Sequence, residues 1–495
     1  MPDAVYSEYW NNSWTKSYSY DSLGRLYGNN TKTQAGNWLQ SYYYYKTISG
    51  NRTSTQVSKL ETKIADFTYT YDNRGNITGV SDGTYTTTYT YDNLDQLIRE
   101  DNPKINRTYV YTYSNGNPVS RSAYNYTAPG VTPTNVLQTY NWEYTAYTWK
   151  DLLVKYNGVS LAYDSNGQIT SLNGVALSWH DLGLLGSAGS TTYTYDTSGK
   201  RLSKTVNGVT TNFYYAGDLL VGQKKGNEVI EFMFDSKGDY FGLEYNGTPY
   251  YYIKNLQGDV IAICNSAGNT VVTYEYDAWG RLMSYTDITG FSLVTKNPIR
   301  YRGYYLDHET GFYYLKSRYY SAEICRFLSP DVYVATGQGI LGYNMFAYCN
   351  NNPIIYIDEY GTRHVKGTDA CGISVRDEIY DVLSSENRSF YKNTPVIRHS
   401  IDFLTSWAYA GTIFLNHNID KYSNEYKTQY LNHEYGHILQ EKRLGTVKYT
   451  FSVAIPSAVY NLLSRNNDKL SANYYNMPWE FEADIRGSVD REHAN

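Results

Sequence analysis

The residues of this chain best placed to do chemistry are His433, Glu434 and His437, in the run His433-Glu434-Tyr435-Gly436-His437. Two histidines four apart lie one above the other on a helix face, so both imidazoles can reach one metal ion. Glu434 follows the first histidine directly, where a carboxylate can take a proton from water at the metal. The run sits inside Asn424–Leu444, which predicts one helix: Tyr430, Leu431, Ile438, Leu439 and Leu444 recur at near-helical spacing, and Gly445 suits a C-cap. Zinc with an open position, Zn²⁺ being the cofactor these donors imply, needs a third protein ligand.

The elements that must position these groups follow Arg363. There the texture changes from alternating Tyr/Thr strands to mixed helix and strand, which predicts a separate α+β domain over 364–495. Gly372–Ser385 reads as an amphipathic helix and Ala408–Asn416 as a strand. The apolar run Val447–Leu463 is short for a bilayer span and carries Lys448, Pro456 and Asn461, so a buried helix pair or hairpin is expected rather than a membrane crossing.

The candidate third ligand lies in Trp479-Glu480-Phe481-Glu482-Ala483-Asp484. Glu-x-x-Ala-Asp after a His-Glu-x-x-His helix resembles the gluzincin metallopeptidases. That resemblance implies Glu480 as the third ligand and Asp484, one turn later, as the acceptor that orients a ligand histidine. Glu482 competes for the ligand role, but two residues from Glu480 it points to another helix face. His417 could line the cleft, although a loop histidine is more often solvated; His493 falls where the C-terminus is expected to fray, and His180, His308, His364 and His399 show no ligand spacing. For the oxyanion donor, Tyr435, Tyr474 and Tyr475 stay open.

Composition sets the frame. The chain has 495 residues, 59 tyrosines, 39 glycines and a formal net charge of -5. Tyr-rich, Gly-punctuated sequence favours strands and tight turns. Between His364 and Asn495, 14 Lys/Arg face 16 Asp/Glu, so no basic surface points to nucleic acid. Cys264, Cys325, Cys349 and Cys371 form no CxxC pair. Residues Met1 to Tyr20 show no signal-peptide pattern, so an exported product is expected to use a specialised route or to start from a trimmed N-terminus.

Before the change of texture, one phrase returns. Tyr18-Ser-Tyr20-Asp21-Ser-Leu-Gly24-Arg-Leu26 recurs from Tyr69 to Ile77, Tyr89 to Leu97, Leu161 to Ile169, Tyr193 to Leu202 and Tyr274 to Leu282. Each copy predicts a strand, an Asp-x-x-Gly turn and a second strand. A lone hairpin is marginal in water, so the copies are expected to stack into one continuous sheet.

Copies of this form resemble the YD repeats of RHS-repeat proteins. Arg300-Tyr301-Arg302-Gly303-Tyr304-Tyr305, Glu309-Thr310-Gly311-Phe312-Tyr313-Tyr314, Ser317-Arg318-Tyr319-Tyr320, Arg326-Phe327-Leu328-Ser329-Pro330-Asp331 and Asn351-Asn352-Pro353 resemble the RHS repeat-associated core. The resemblance implies three parts: a hairpin array over 1–296, the core over 297–363, and a toxin domain over 364–495. It also implies a shell around the toxin, a cognate immunity protein, and a delivery or shell-completing partner. Tyrosine use falls across the border, from 48 in residues 1–363 to 11 in 364–495.

Many such proteins cut themselves where the core closes. Here Pro353-Ile-Ile-Tyr-Ile-Asp358-Glu359-Tyr360-Gly361-Thr362 matches that spacing, with Glu359 and Thr362 in place of Pro and Leu. Asp331 and Asp358 are then the candidate acid/base pair, and the bond after Thr362 the candidate scissile bond. The plainer alternative makes Asp358 an ordinary turn residue.

The expectation is therefore a mainly β, shell-like array followed by a small zincin-like domain. Its C-terminal part would hydrolyse a protein or peptide with zinc, as a secreted or cell-surface toxin used against competitors or host cells. Two alternatives remain: a surface protein whose tyrosines stack on carbohydrate above an inert C-terminal domain, and a nuclease toxin, disfavoured because its metal is more often a carboxylate-held magnesium.

Overall fold

A tight turn explains the repeat. In the computed structural model, Asp72 Oδ1 accepts the backbone N–H groups of Arg74 and Asn76, both at 2.9 Å. The Asp72 N–H reaches the Asn76 carbonyl at 3.0 Å, and Gly75 takes φ 85°. A carboxylate holding two backbone donors fixes the turn, and glycine occupies the left-handed region without strain. The turns at Asp21, Asp92, Asp164, Asp196 and Asp277 repeat the paired acceptance. In the Asp92 copy the glycine position is held by Asp95 at φ 63°, which a short polar side chain tolerates.

A second device recurs that periodicity did not reveal. Where strand Asp66–Tyr71 meets Ile77–Ser81, the register slips between Thr70 and Tyr71. The carbonyl of Ile77, at that bulge, accepts the Tyr91 hydroxyl of the next copy at 2.6 Å. Leu97, Leu153, Leu185 and Val260 accept from Tyr113, Tyr163, Tyr195 and Tyr276 in the same way. These five tyrosines, four of them directly before a turn aspartate, thus satisfy a backbone acceptor where the preceding ladder is interrupted.

The structure describes residues 4–10, 14–49, 52–145, 149–180, 183–235, 237–331, 344–358, 361, 365–366, 388–391, 394–399, 407–409 and 412–416. The chain divides into two units, Met1–Ser374 and Val375–Asn495.

In the first unit, consecutive strands pair antiparallel in chain order. They form two long sheets rather than the single one expected. A 15-stranded sheet runs to Val159–Ser160, and a 14-stranded sheet runs from Ala162–Tyr163 to Leu282–Asp287. The division falls at Leu161, whose N–H still reaches the Val154 carbonyl in the register of the first sheet, whereas Ala162–Tyr163 pairs with Ile169–Leu172. The array returns on itself: Gln34 N–H meets the Tyr251 hydroxyl at 2.8 Å, and Thr33 Oγ1 donates to the Ser266 carbonyl at 2.6 Å.

A four-stranded sheet of the core, Tyr305–Asp307, Phe312–Tyr314, Tyr319–Ser321 and Arg326–Phe327, follows. Its Tyr313, Tyr320 and Phe327 join Tyr69, Tyr109 and Leu185 of the array in the largest hydrophobic cluster. Among the described residues the α-helix is the single turn Leu293–Lys296, and no helix is long and apolar enough to cross a membrane.

In the second unit, Thr394–His399 pairs antiparallel with Arg388–Tyr391 and parallel with Thr412–Asn416. The strand expected over Ala408–Asn416 is instead two, Trp407–Tyr409 and Thr412–Asn416, paired antiparallel. The expected helices Gly372–Ser385 and Asn424–Leu444, and the run Val447–Leu463, lie outside the described residues.

Candidate functional site at the border of the core

Arg318 enters the strand Tyr319–Ser321 with its guanidinium stacked 3.6 Å from the Phe327 ring centroid. The aromatic surroundings exclude water, so every N–H must find a protein acceptor. Nη2 lies 2.8 Å from Asp331 Oδ2 and 3.5 Å from Asp358 Oδ2. Nη1 donates to the Met345 carbonyl at 2.9 Å, and Nε donates to the carbonyl of Gly361. Arg318, Asp331 and Asp358 are all buried.

The structure thus brings together the two aspartates that the sequence singles out, with one cation between them. Burial holds Arg318 below the usual guanidinium value, against the opposing pull of Asp331 and then Asp358. Among the described residues the two carboxylates share this one guanidinium, and carboxyl groups held this close can exchange a proton, as an acid/base pair requires.

The chain beyond Asp358 is held against this cluster. The Asp358 N–H donates to the Tyr304 hydroxyl at 2.8 Å, which shares a hydrogen bond with Tyr348 at 3.1 Å. Gly361 takes φ 72°, and a Cβ there would lie 2.7 Å from Ser317 Oγ and 3.0 Å from the Leu315 carbonyl, so only glycine fits. Tyr356–Ile357 pairs antiparallel with Val365–Lys366. Thr362 itself lies outside the described residues.

Arg318 is the residue that sequence reasoning passed over. It stands in a quoted motif, and its signal is an arginine directly before the pair Tyr319-Tyr320 in a strongly aromatic run. His433, Glu434, His437, Glu480, Glu482 and Asp484 lie outside the described residues, as do His417, Tyr435, Tyr474 and Tyr475. His308 is exposed beside the Asn297 carbonyl, and His180 lies edge-on to Tyr195.

Residues 110–354 match the family model of the teneurin YD-shell. Over 174 residues, 34% of this chain, the sequence is 41% identical to the tRNA3(Ser)-specific nuclease WapA of Bacillus spizizenii. It is 39% identical over the same length to the tRNA nuclease WapA of Bacillus subtilis. The chain spans 7% of the length of each of these relatives. It is also 22% identical over 200 residues to the double-stranded DNA deaminase toxin A of Burkholderia cenocepacia, covering 14% of it.

Among solved structures, the Photorhabdus luminescens Tc holotoxin pore aligns with a TM-score of 0.56 at 20% identity, over 72% of this chain and 20% of that one. The TcdB2-TccC3-Cdc42 complex aligns at 0.54 and 19%, over 70% and 20%. At such identity the likeness shows the fold: the β-region is an RHS/YD-type shell.

The relatives correct the expected chemistry. Proteins named as tRNA nucleases and a DNA deaminase overturn the peptidase reading, the protein or peptide substrate, and the exclusion of nucleic acid. The physical reason lies in what each signal specifies. A metal helix motif defines how water is activated, not whether it attacks a carbonyl or a phosphorus. A charge balance counted over a whole domain says nothing of where its 14 basic residues stand.

Proposed function

We propose that this chain is a shell-borne toxin, exported from the cell that makes it, whose C-terminal α+β domain acts on nucleic acid. The match of 174 residues to three proteins named as tRNA nucleases, 38–41% identical, carries this reading. The fold shared with the Tc toxin structures fits a carrier role for the β-region.

Within the C-terminal domain, His433, His437 and Glu480 are the proposed metal ligands. Two imidazoles and one carboxylate form a donor set suited to zinc, which when bound acidifies water and polarises a phosphoryl oxygen. Glu434 holds the proton that must leave the attacking water and returns it to the leaving oxygen. Asp484 orients a ligand histidine.

The purified full chain, incubated separately with total tRNA and duplex DNA, tests the reading. Cleavage or base conversion that a chelator stops, and that Glu434→Gln loses, is the expected result. Intact, unmodified tRNA and DNA after incubation with a folded, zinc-loaded chain would refute it.

A second reading is favoured by Arg318 standing between Asp331 and Asp358 while its Nε engages Gly361. In it, the two aspartates are the acid/base pair of a self-processing step, one taking a proton from water and the other protonating the leaving amine. The bond after Thr362 is the one broken. Two fragments meeting at residues 362 and 363, lost in Asp358→Asn, are expected on a denaturing gel; a wild-type chain that stays one band removes the step.

A further inference from the structure

One copy of the repeat departs from the others. The turn Asp277 to Arg281 joins strands Thr270–Tyr276 and Leu282–Asp287, and its residues Asp277 to Gly280 are all buried. Three successive carbonyls of this turn accept hydroxyls from the core. Tyr301 donates to Ala278 at 3.0 Å, Tyr320 to Trp279 at 2.8 Å, and Tyr313 to Gly280 at 2.8 Å. To the backbone of this turn the other sheet contributes Glu100 of strand Leu97–Asn102, whose Oε2 accepts the Ala278 N–H at 3.0 Å. Both long sheets and the core therefore meet at four hydrogen-bonding backbone groups.

The partner from the first sheet is the unusual one. Glu100 lies between Tyr89 and Tyr109 on the neighbouring strands, in a row that otherwise reads as aromatic core. It is 1% exposed, and Asp277, whose carboxylate the turn itself requires, is 2% exposed. Tyr91 and Tyr111 flank it from the same two strands and Arg281 faces it from the turn. Arg281 is committed elsewhere: Nε reaches Asp277 Oδ2 at 2.6 Å, and Nη2 donates to the Tyr109 hydroxyl at 3.1 Å. Asn102 Nδ2 supplies a neutral donor to Glu100 Oε1 at 3.3 Å. Beside this contact the seam continues through Lys104, 2.7 Å from Glu275 and 3.4 Å from Asp82, along a cavity of about 480 Å³.

We propose that this seam is a proton-dependent latch: the Glu100 carboxyl closes it in the neutral form, and loss of that proton favours parting of the Asp277 turn from the first sheet. Burial, and then the Asp277 charge, push the Glu100 carboxyl up to about 8. A glutamate in the opened, hydrated seam returns to an ordinary value near 4.5. The closed form thus binds the proton more tightly than the open one. Below about 4.5 both forms are protonated and the seam is at its tightest. Between about 4.5 and 8 only the closed form keeps the proton, so opening becomes easier, by up to about tenfold per pH unit. Above about 8 the effect levels off. This device is independent of what the C-terminal domain attacks.

Hydrogen exchange of the full-length protein, read on peptides covering 270–287 and 97–113, tests the latch. The reference is Glu100→Gln, which keeps the acceptor for Ala278 without an ionisable group. The ratio of wild-type to variant exchange in these peptides is expected to stay near one at pH 4.5 and to climb through pH 8. A ratio that does not change with pH overturns the proposal, as does a variant that retains the wild-type dependence. Should Glu100→Gln fail to fold, the wild-type Asp72 turn, which has the Asp-x-x-Gly motif and lies outside the hairpin that carries Glu100, serves as the internal reference. Exchange at Asp277 that tracks exchange at Asp72 across this range then refutes the latch.

Discussion

The repeat array and the core solve one problem with different donors. Both contain backbone carbonyls at places where a strand ladder is interrupted. In the array the donor is a tyrosine hydroxyl from the next copy, as Tyr91 serves Ile77. In the core it is arginine: Arg302 serves Pro353 and Arg318 serves Met345 and Gly361, while Arg326 reaches out to Asp151 of the array. A hydroxyl is one neutral donor and suits a defect that recurs identically. A guanidinium is a five-donor fork that can gather several unrelated segments at once, but it must be neutralised when buried. Buried charge is accordingly denser in the core, which holds Arg302, Asp307, Arg318, Asp331 and Asp358, than in the much longer array, where Glu100, Arg121, Arg201 and Asp277 are among the buried ones.

That contrast predicts a gradient of sensitivity. Arg318→Met leaves Asp331 and Asp358 buried without their shared cation and should cost about 3–5 kcal/mol in urea unfolding. A loss under 1 kcal/mol would show the carboxylates relaxing into water and would break the contrast. Next comes Gly280→Ala, where a Cβ would stand 2.5 Å from the Tyr301 ring at a φ of 91°. Overpacking and a forbidden φ together should cost about 2–3 kcal/mol. The same change at Gly75 meets only the flexible end of Gln56, at 3.2 Å, and should cost about 1 kcal/mol. Equal effects at the two glycines would erase the distinction between the turn gripped by the core and an ordinary one.

Tyr91→Phe removes one neutral donor and should cost about 1 kcal/mol, read as a small shift in the denaturant midpoint. At the bottom stands Lys155→Ala, which removes an exposed pair with Glu143 at 3.0 Å and should leave the midpoint unchanged. A measurable loss there would mean that surface charge matters more to the array than its internal tyrosines suggest.

The same contrast explains what was legible in the sequence. The copies could be read because Asp, Gly and the alternating tyrosines act within about ten residues of one another, so local spacing carries the structure. The destinations of the tyrosine hydroxyls were not legible, since they depend on bulges that the spacing does not mark. The break into two sheets at Leu161 was hidden too, because Val159–Ser160 and Ala162–Tyr163 are strands of two residues in unremarkable sequence.

Asp331 and Asp358 were found by resemblance, but Arg318 acquires its meaning only when residues 345, 358 and 361 fold back upon it. In the C-terminal region the histidine pair implied a metal but carried no information on the electrophile, and there the relatives corrected the expected substrate.

The tyrosine that closes each copy belongs to the copy after it, and this gives the array a direction in time. A chain emerging from the ribosome completes the Asp72 hairpin only when Tyr91 has been synthesised, and the Asp92 hairpin only when Tyr113 has. Closure therefore follows synthesis from the N-terminal end, one step behind it. The Asp277 turn comes late in that order and takes its hydroxyls from Tyr301, Tyr313 and Tyr320 of the core. A chain that stops short of Tyr320 thus leaves the Trp279 carbonyl without the donor it has in the finished fold.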